Sequence, residues 1–102
     1  MVGPIPITFS ESAVQDMEDL LAYYADQAMP QVGSRLVAEI ITEIELLSSQ
    51  PRMGRMVPEF EQDFLLELIR PPFRIVYRVD RDQVRIVRVW RSERLLKLPQ
   101  DD

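Results

Sequence analysis

Apolar positions along the chain follow two different periods. In the first half, Ala13, Met17, Leu20, Leu21 and Tyr24 recur at helical spacing, with Asp16, Glu18, Asp19 and Asp26 between them. That pattern predicts an amphipathic helix from Glu11 to about Ala28, with Ser10 or Ser12 as its N-cap. Pro30 suits the first turn of a second helix reaching about Ser48, with a buried stripe of Val32, Leu36, Ile40, Ile44 and Leu47. Val37 and Ile41 widen that stripe, which implies either burial on two sides or an apolar surface reserved for a partner. Two helices joined so tightly form an antiparallel hairpin that can lie across a sheet.

In the second half the period shortens. Phe73–Val79 and Val84–Trp90 are rich in β-branched and aromatic residues, and Asp80-Arg81-Asp82-Gln83 joins them, so they read as an antiparallel hairpin. Strict alternation places Phe73, Ile75, Tyr77 and Val79 on one face and Arg74, Val76, Arg78 and Asp80 on the other. In the partner strand, Arg85, Val87, Val89 and Arg91 share one face, and Val84, Ile86, Arg88 and Trp90 the other. Phe64–Ile69 forms a further strand, which Pro71-Pro72 is expected to end in extended geometry, breaking the ladder before Phe73. Ile5–Phe9 reads as a short strand that Pro4 and Pro6 confine to an edge. Gln50–Arg55 is a turn or loop, Val57–Phe60 a linker or weak strand, and Ser92–Leu98 a short helix or extended tail before a fraying end. The order β-α-α-β-β-β predicts an α+β fold in one domain over residues 1–102, with an N-terminal strand and a helix hairpin packed on a small twisted antiparallel sheet.

Charge sharpens this division. The net charge is −5, but residues 1–50 hold one basic and eight acidic residues, whereas residues 51–102 hold eleven and nine. Either an acidic helical layer covers a mixed-charge sheet, or the sheet faces something anionic. The overall acidity argues against a general duplex-DNA binder, which depends on many phosphate contacts. With no cysteine and no histidine, disulfides, thiolate metal sites, a classical zinc site and a histidine-based triad are all excluded. No metal or cofactor is expected. No apolar run is long enough to span a bilayer. Met1–Pro6 lacks the basic and apolar regions of a signal peptide, so a cytoplasmic location is expected.

Eight arginines recur between Glu67 and Lys97. If several converged on one concavity they would bind phosphate or carboxylate bidentately; if not, they would pair with Asp80, Asp82 or Glu67 on a solvated face. Tyr77 is either a general acid or a core residue, and Trp90 either core or a stacking platform at the rim of a site. Asp80 and Asp82 are more simply turn formers than a carboxylate pair.

Three segments carry a family resemblance: SESAVQDMEDLLAYYADQ, IELLSSQPRMGRMVPEF and, above all, LIRPPFRIVYRVDRDQVRIVRVWRSER. In these the chain resembles the RelE/ParE superfamily of toxins from bacterial type II toxin–antitoxin modules over nearly its whole length. The resemblance implies the same two-helix, small-sheet fold. RelE-like members resemble ribosome-dependent mRNA endonucleases, in which lysines, arginines and a tyrosine assist attack of a ribose 2′-OH on the adjacent phosphate. Here the catalytic arginines would be Arg74, Arg91 and Arg94. The two lysine positions, however, fall at about Leu65 and Glu67, and no tyrosine stands near Leu98.

These departures favour the ParE-like branch, whose members resemble inhibitors of DNA gyrase rather than enzymes and serve in plasmid stabilisation. The implied target-binding residues are Arg88, Trp90, Arg91 and Arg94. Both branches imply a hetero-oligomer with a cognate antitoxin, contacted through Val37, Ile41, Arg74 and Arg78. The alternative partners are the ribosome and mRNA, and a third possibility is an inactive antitoxin-binding homologue. Glu67→Lys is expected to separate the two branches by restoring cleavage only to a nuclease-derived site.

Overall fold

The computed structural model describes residues 3–60 and 62–91. The expected tail over Ser92–Leu98, the terminal Gln100–Asp102 and the candidate Arg94 lie outside them. The ordered elements are β1 (Ile7–Phe9), α1 (Glu11–Asp26), α2 (Pro30–Glu45) with a 3-10 turn at Leu46–Ser48, β2 (Arg55–Met56), β3 (Leu65–Arg70), β4 (Phe73–Val79) and β5 (Val84–Arg91). The sheet order is β1-β5-β4-β3-β2.

Helix α1 starts where its cap dictates. The Ser10 side chain accepts a hydrogen bond from the Ala13 amide, satisfying one otherwise unpaired donor of the first turn. The helix ends in a left-handed residue, Ala28 (φ 61°), and the Met29 amide donates back to the Tyr24 carbonyl at 2.8 Å. Glycine usually occupies such a position because it has no Cβ to clash. Pro30 then opens α2, as its fixed φ allows. At Gly33 the helices approach closely, and a Cβ there would stand 3.1 Å from that of Tyr24.

The helix pair lays Ala13, Leu20, Ile40, Ile44 and Leu47 onto Phe73, Ile75, Tyr77, Val84, Ile86 and Val89 of the sheet. Val37 and Leu36 pack partly against this core. Ile41 is half-buried beside it.

Three features depart from the sequence-based expectation. First, β1 joins the outer edge of β5 in parallel, with Ile7 opposite Val84 and Phe9 opposite Ile86, so the sheet is mixed. Second, Arg55, expected in a turn or loop, forms a short edge strand with Met56 against β3. Third, Pro71-Pro72 does not break the ladder. The peptide between them is cis, as in a type VI turn, and Arg70 and Phe73 pair directly across it.

The largest departure concerns β5. Val76 pairs with Arg88, but its neighbour Tyr77 pairs with Ile86, leaving Val87 as an extra residue. One inserted residue reverses the alternation beyond it. Val84 and Ile86 therefore share the core with Val89, although strict alternation assigns them to opposite faces. The bulge is held from outside: the Ser10 hydroxyl donates to the Val87 carbonyl and the Ser10 amide to that of Ile86.

Replacing Ala28 by glycine should stabilise the fold by about 1 kcal/mol, because the left-handed conformation costs an alanine energy it does not cost a glycine. The urea midpoint of Ala28→Gly, measured against the parent, checks this.

Candidate functional site

Strand β3 reads Leu-Leu-Glu-Leu-Ile, with a carboxylate in the middle of an apolar run. The Glu67 side chain has no solvent exposure, so its charge needs partners inside the protein. Two guanidinium groups supply them. Arg55 Nε donates to Oε2 at 2.7 Å from β2, and Arg74 Nε donates to Oε1 from β4. Arg74 reaches further with its other two nitrogens, donating to both carboxylate oxygens of Glu59, at 2.6 and 3.2 Å. Burial opposes the charge on Arg74, but the hydrogen bonds to Glu59 and Glu67 outweigh it and hold its pKa above the ordinary arginine value. Arg74 is only about a tenth exposed and all three of its nitrogens are engaged.

Beside this network the backbone closes around Gly54. A Cβ at that position would lie 2.5 Å from the Glu67 carbonyl and 2.6 Å from the Tyr77 hydroxyl. The Gly54 amide donates to that hydroxyl at 2.9 Å. Tyr77 is a fully buried core residue, and burial pushes its phenol pKa up. It is therefore a packing group with a satisfied polar end.

The other arginines disperse. Arg78 is bound by both oxygens of Asp80, two residues on, which lowers the Asp80 pKa and raises that of Arg78. Arg85 donates to the Thr8 hydroxyl, which in turn donates to Gln83. Arg70 reaches Glu39 at 3.3 Å and Glu43 at 4.0 Å on α2. Arg88 pairs with both oxygens of Asp16 on α1, each at 2.8 Å, and this bond raises its pKa. Its guanidinium lies 4.8 Å from the centre of the Trp90 ring, and that of Arg91 lies 5.6 Å from the Phe73 ring. Among the described residues, then, the arginines form no common anion cradle.

Of the residues singled out from sequence, Arg88, Trp90 and Arg91 all lie half-buried in the last four residues of β5, with Arg88 at Trp90 and Arg91 at Phe73. Val37 and Ile41 lie half-buried on α2, away from that end by sequence and element, and Arg74 sits in the closed network. Asp16, Glu59, Thr8 and Gly54 were not anticipated. Only Glu67 carried a local signal, as a lone charge in an apolar strand. Among the described residues no group of acidic side chains is arranged to hold a metal ion, and no helix is long and apolar enough to cross a membrane.

Comparison with known proteins agrees with this architecture. A family model described as the ParE toxin of the type II toxin–antitoxin system matches residues 7–96. A chromosomal ParDE system from P. aeruginosa superposes with a TM-score of 0.71 at 21% identity, covering 85% of this chain and 95% of that one. The RelBE2 toxin–antitoxin complex from Mycobacterium tuberculosis gives 0.58 at 24% identity, covering 86% and 98%. A conserved hypothetical protein from Helicobacter pylori gives 0.60 at 20% identity, covering 89% and 98%. These structures share the fold. No curated protein matches the sequence.

The geometry changes what Glu67 substitutions report. Glu67→Gln should cost about 3–5 kcal/mol, the usual penalty for leaving a buried charge without its partner. Glu67→Lys should cost at least as much, because it places a third cation between Arg55 and Arg74. It tests folding rather than cleavage, and thermal unfolding of both variants checks the ordering. The Arg74 hydrogen bond holds the Glu59 carboxyl below its ordinary 4.5. Its contribution is therefore full above that value and lost as pH falls through the lower, folded one. The side chain is half exposed, so the effect is small. Glu59→Gln should show a slightly shallower loss of stability on acidification, read from urea midpoints across that range.

Proposed function

The chain belongs to the ParE toxin family of type II toxin–antitoxin systems, and from that premise we propose that it inhibits DNA gyrase and is neutralised by a cognate antitoxin. The observation that carries this reading is the closed network around Glu67. Phosphoryl chemistry on RNA needs cations free to meet the developing negative charge. At the strand position where a nuclease of this superfamily is expected to present a lysine, this chain buries a carboxylate, and that carboxylate occupies Arg74. Arg74, one of the arginines the nuclease reading requires, is therefore spent on internal pairing, and the protein acts by binding its target rather than by turning over a substrate.

The target-binding region is assigned to the end of β5, with Trp90, Arg91 and, beyond it, Arg94; Arg88 belongs to the same end. The antitoxin is assigned to the half-buried Val37 and Ile41 and to Arg78. Arg74 contributes only through the network that shapes the face. Apolar side chains are also exposed at Met56, Phe60, Phe64 and Ile69, around the β2–β3 edge. An antitoxin segment covering them would remove a surface that is costly to leave in water. Action on gyrase places the protein in the cytoplasm.

Expression of the chain without an antitoxin tests the proposal. DNA synthesis should fail before bulk translation, and the purified protein should block supercoiling by gyrase and leave cleaved DNA behind. Translation failing first would favour the endonuclease reading instead, and undisturbed growth would indicate an inactive antitoxin-binding homologue.

A further inference from the structure

Among the described residues, no strand lies beside the outer edge of β5 beyond Ile86, because β1 pairs only with Val84, Arg85 and Ile86. Unpaired strand edges are exposed to solvent and to other chains. Here α1 supplies the missing partners. Ser10 takes the Val87 carbonyl, and Asp16 accepts the Val89 amide at 2.8 Å. The same Asp16 carboxylate, about one-tenth exposed, receives Nε and Nη2 of Arg88. A bidentate pair fixes the plane of a guanidinium as well as its position. The guanidinium carbon lies over the Trp90 ring, 4.8 Å from its centre, a favourable contact between a cation and an aromatic face.

The chain of contacts runs from one helical carboxylate, through one guanidinium, to the one tryptophan in the sequence. Arg88 is poorly placed to contact a target itself. Two of its nitrogens are held by Asp16, and its guanidinium carbon lies over the Trp90 ring. We infer that Asp16, acting through Arg88, is a positioning residue that holds Trp90 as an ordered, partly exposed contact surface for the target. This rests on the assignment of the end of β5 to target binding. It deepens that assignment by separating the contact (Trp90) from the residues that orient it (Asp16 and Arg88). An aromatic ring already ordered before binding loses less freedom when it docks.

Because the sequence contains a single tryptophan, its fluorescence reports this ring alone. Asp16→Asn keeps an oxygen for the Val89 amide and removes the charge that holds Arg88. In the folded, full-length variant, Trp90 should become more accessible to acrylamide quenching and show lower anisotropy. The concentration needed to inhibit gyrase should rise by about tenfold, the scale of one ordered contact, and Trp90→Ala should weaken inhibition at least as much. A merely structural Asp16 would lower the melting temperature but leave the quenching of the folded protein unchanged, and that result would overturn the inference. So would a loosened Trp90 with undiminished inhibition. Should Asp16→Asn not fold, Arg88→Gln breaks the same contact from the strand side and gives the same readings. Failure of the wild-type chain to inhibit gyrase would sink the assignment of the target, and the quenching and anisotropy would still decide whether Asp16 positions Trp90.

Discussion

A carboxylate removed from water stays charged only where the protein replaces its hydration, and Glu67 imposes that requirement on the second half of this fold. Its two partners come from different strands, Arg55 on β2 and Arg74 on β4, and Arg74 draws in Glu59 from the loop before β3. One buried charge thus specifies how a two-residue edge strand, a hairpin strand and a loop are placed relative to one another. Gly54 allows the same approach from the backbone side, since no side chain fits between the Glu67 carbonyl and the Tyr77 hydroxyl. Hydrophobic burial alone would leave this edge of the sheet poorly specified, because β2 is short and both its residues are exposed.

The charge imbalance between the two halves of the sequence has a structural reading of the same kind. Acidic side chains on the helices meet basic side chains on the sheet: Asp16 with Arg88, and Glu39 and Glu43 with Arg70. The acidic first half and basic second half are in this respect two layers that pair across their interface. Exposed pairs of this type add little stability. Their larger consequence is that guanidinium groups which sequence alone makes look like an anion-binding array are distributed among separate carboxylates. A face that binds by shape and aromatic contact is more in keeping with that distribution than one built to hold phosphate.

Much of the architecture was legible because it rests on local periodicity. The stripe Ile40–Ile44–Leu47 and the capping serine before α1 marked the helices, and the runs Phe73–Val79 and Val84–Trp90 marked the central hairpin. The faces of β5 were not legible past its middle. The bulge at Val87 has no compositional mark in a run of alternating valine and arginine, and its cause is non-local: Ser10, at the start of α1, binds the displaced carbonyl. The turn at Pro71-Pro72 misled for a related reason, since a proline pair suits an extended segment or, with a cis peptide, a tight reversal, and only the pairing of Arg70 with Phe73 selects between them.

The sequence by itself determined the helices, the principal strands, the absence of histidine and cysteine chemistry, and the presence of an ionic group inside an apolar strand. All of these depend on residue type and on neighbours a few positions away. Only the tertiary structure decided which acid meets which arginine. Asp16 and Arg88 are 72 residues apart, and Glu59 and Arg74 are 15 apart, so neither pairing leaves a periodic trace. Those partnerships follow from strand register and helix docking, and they determine which arginines are held within the fold.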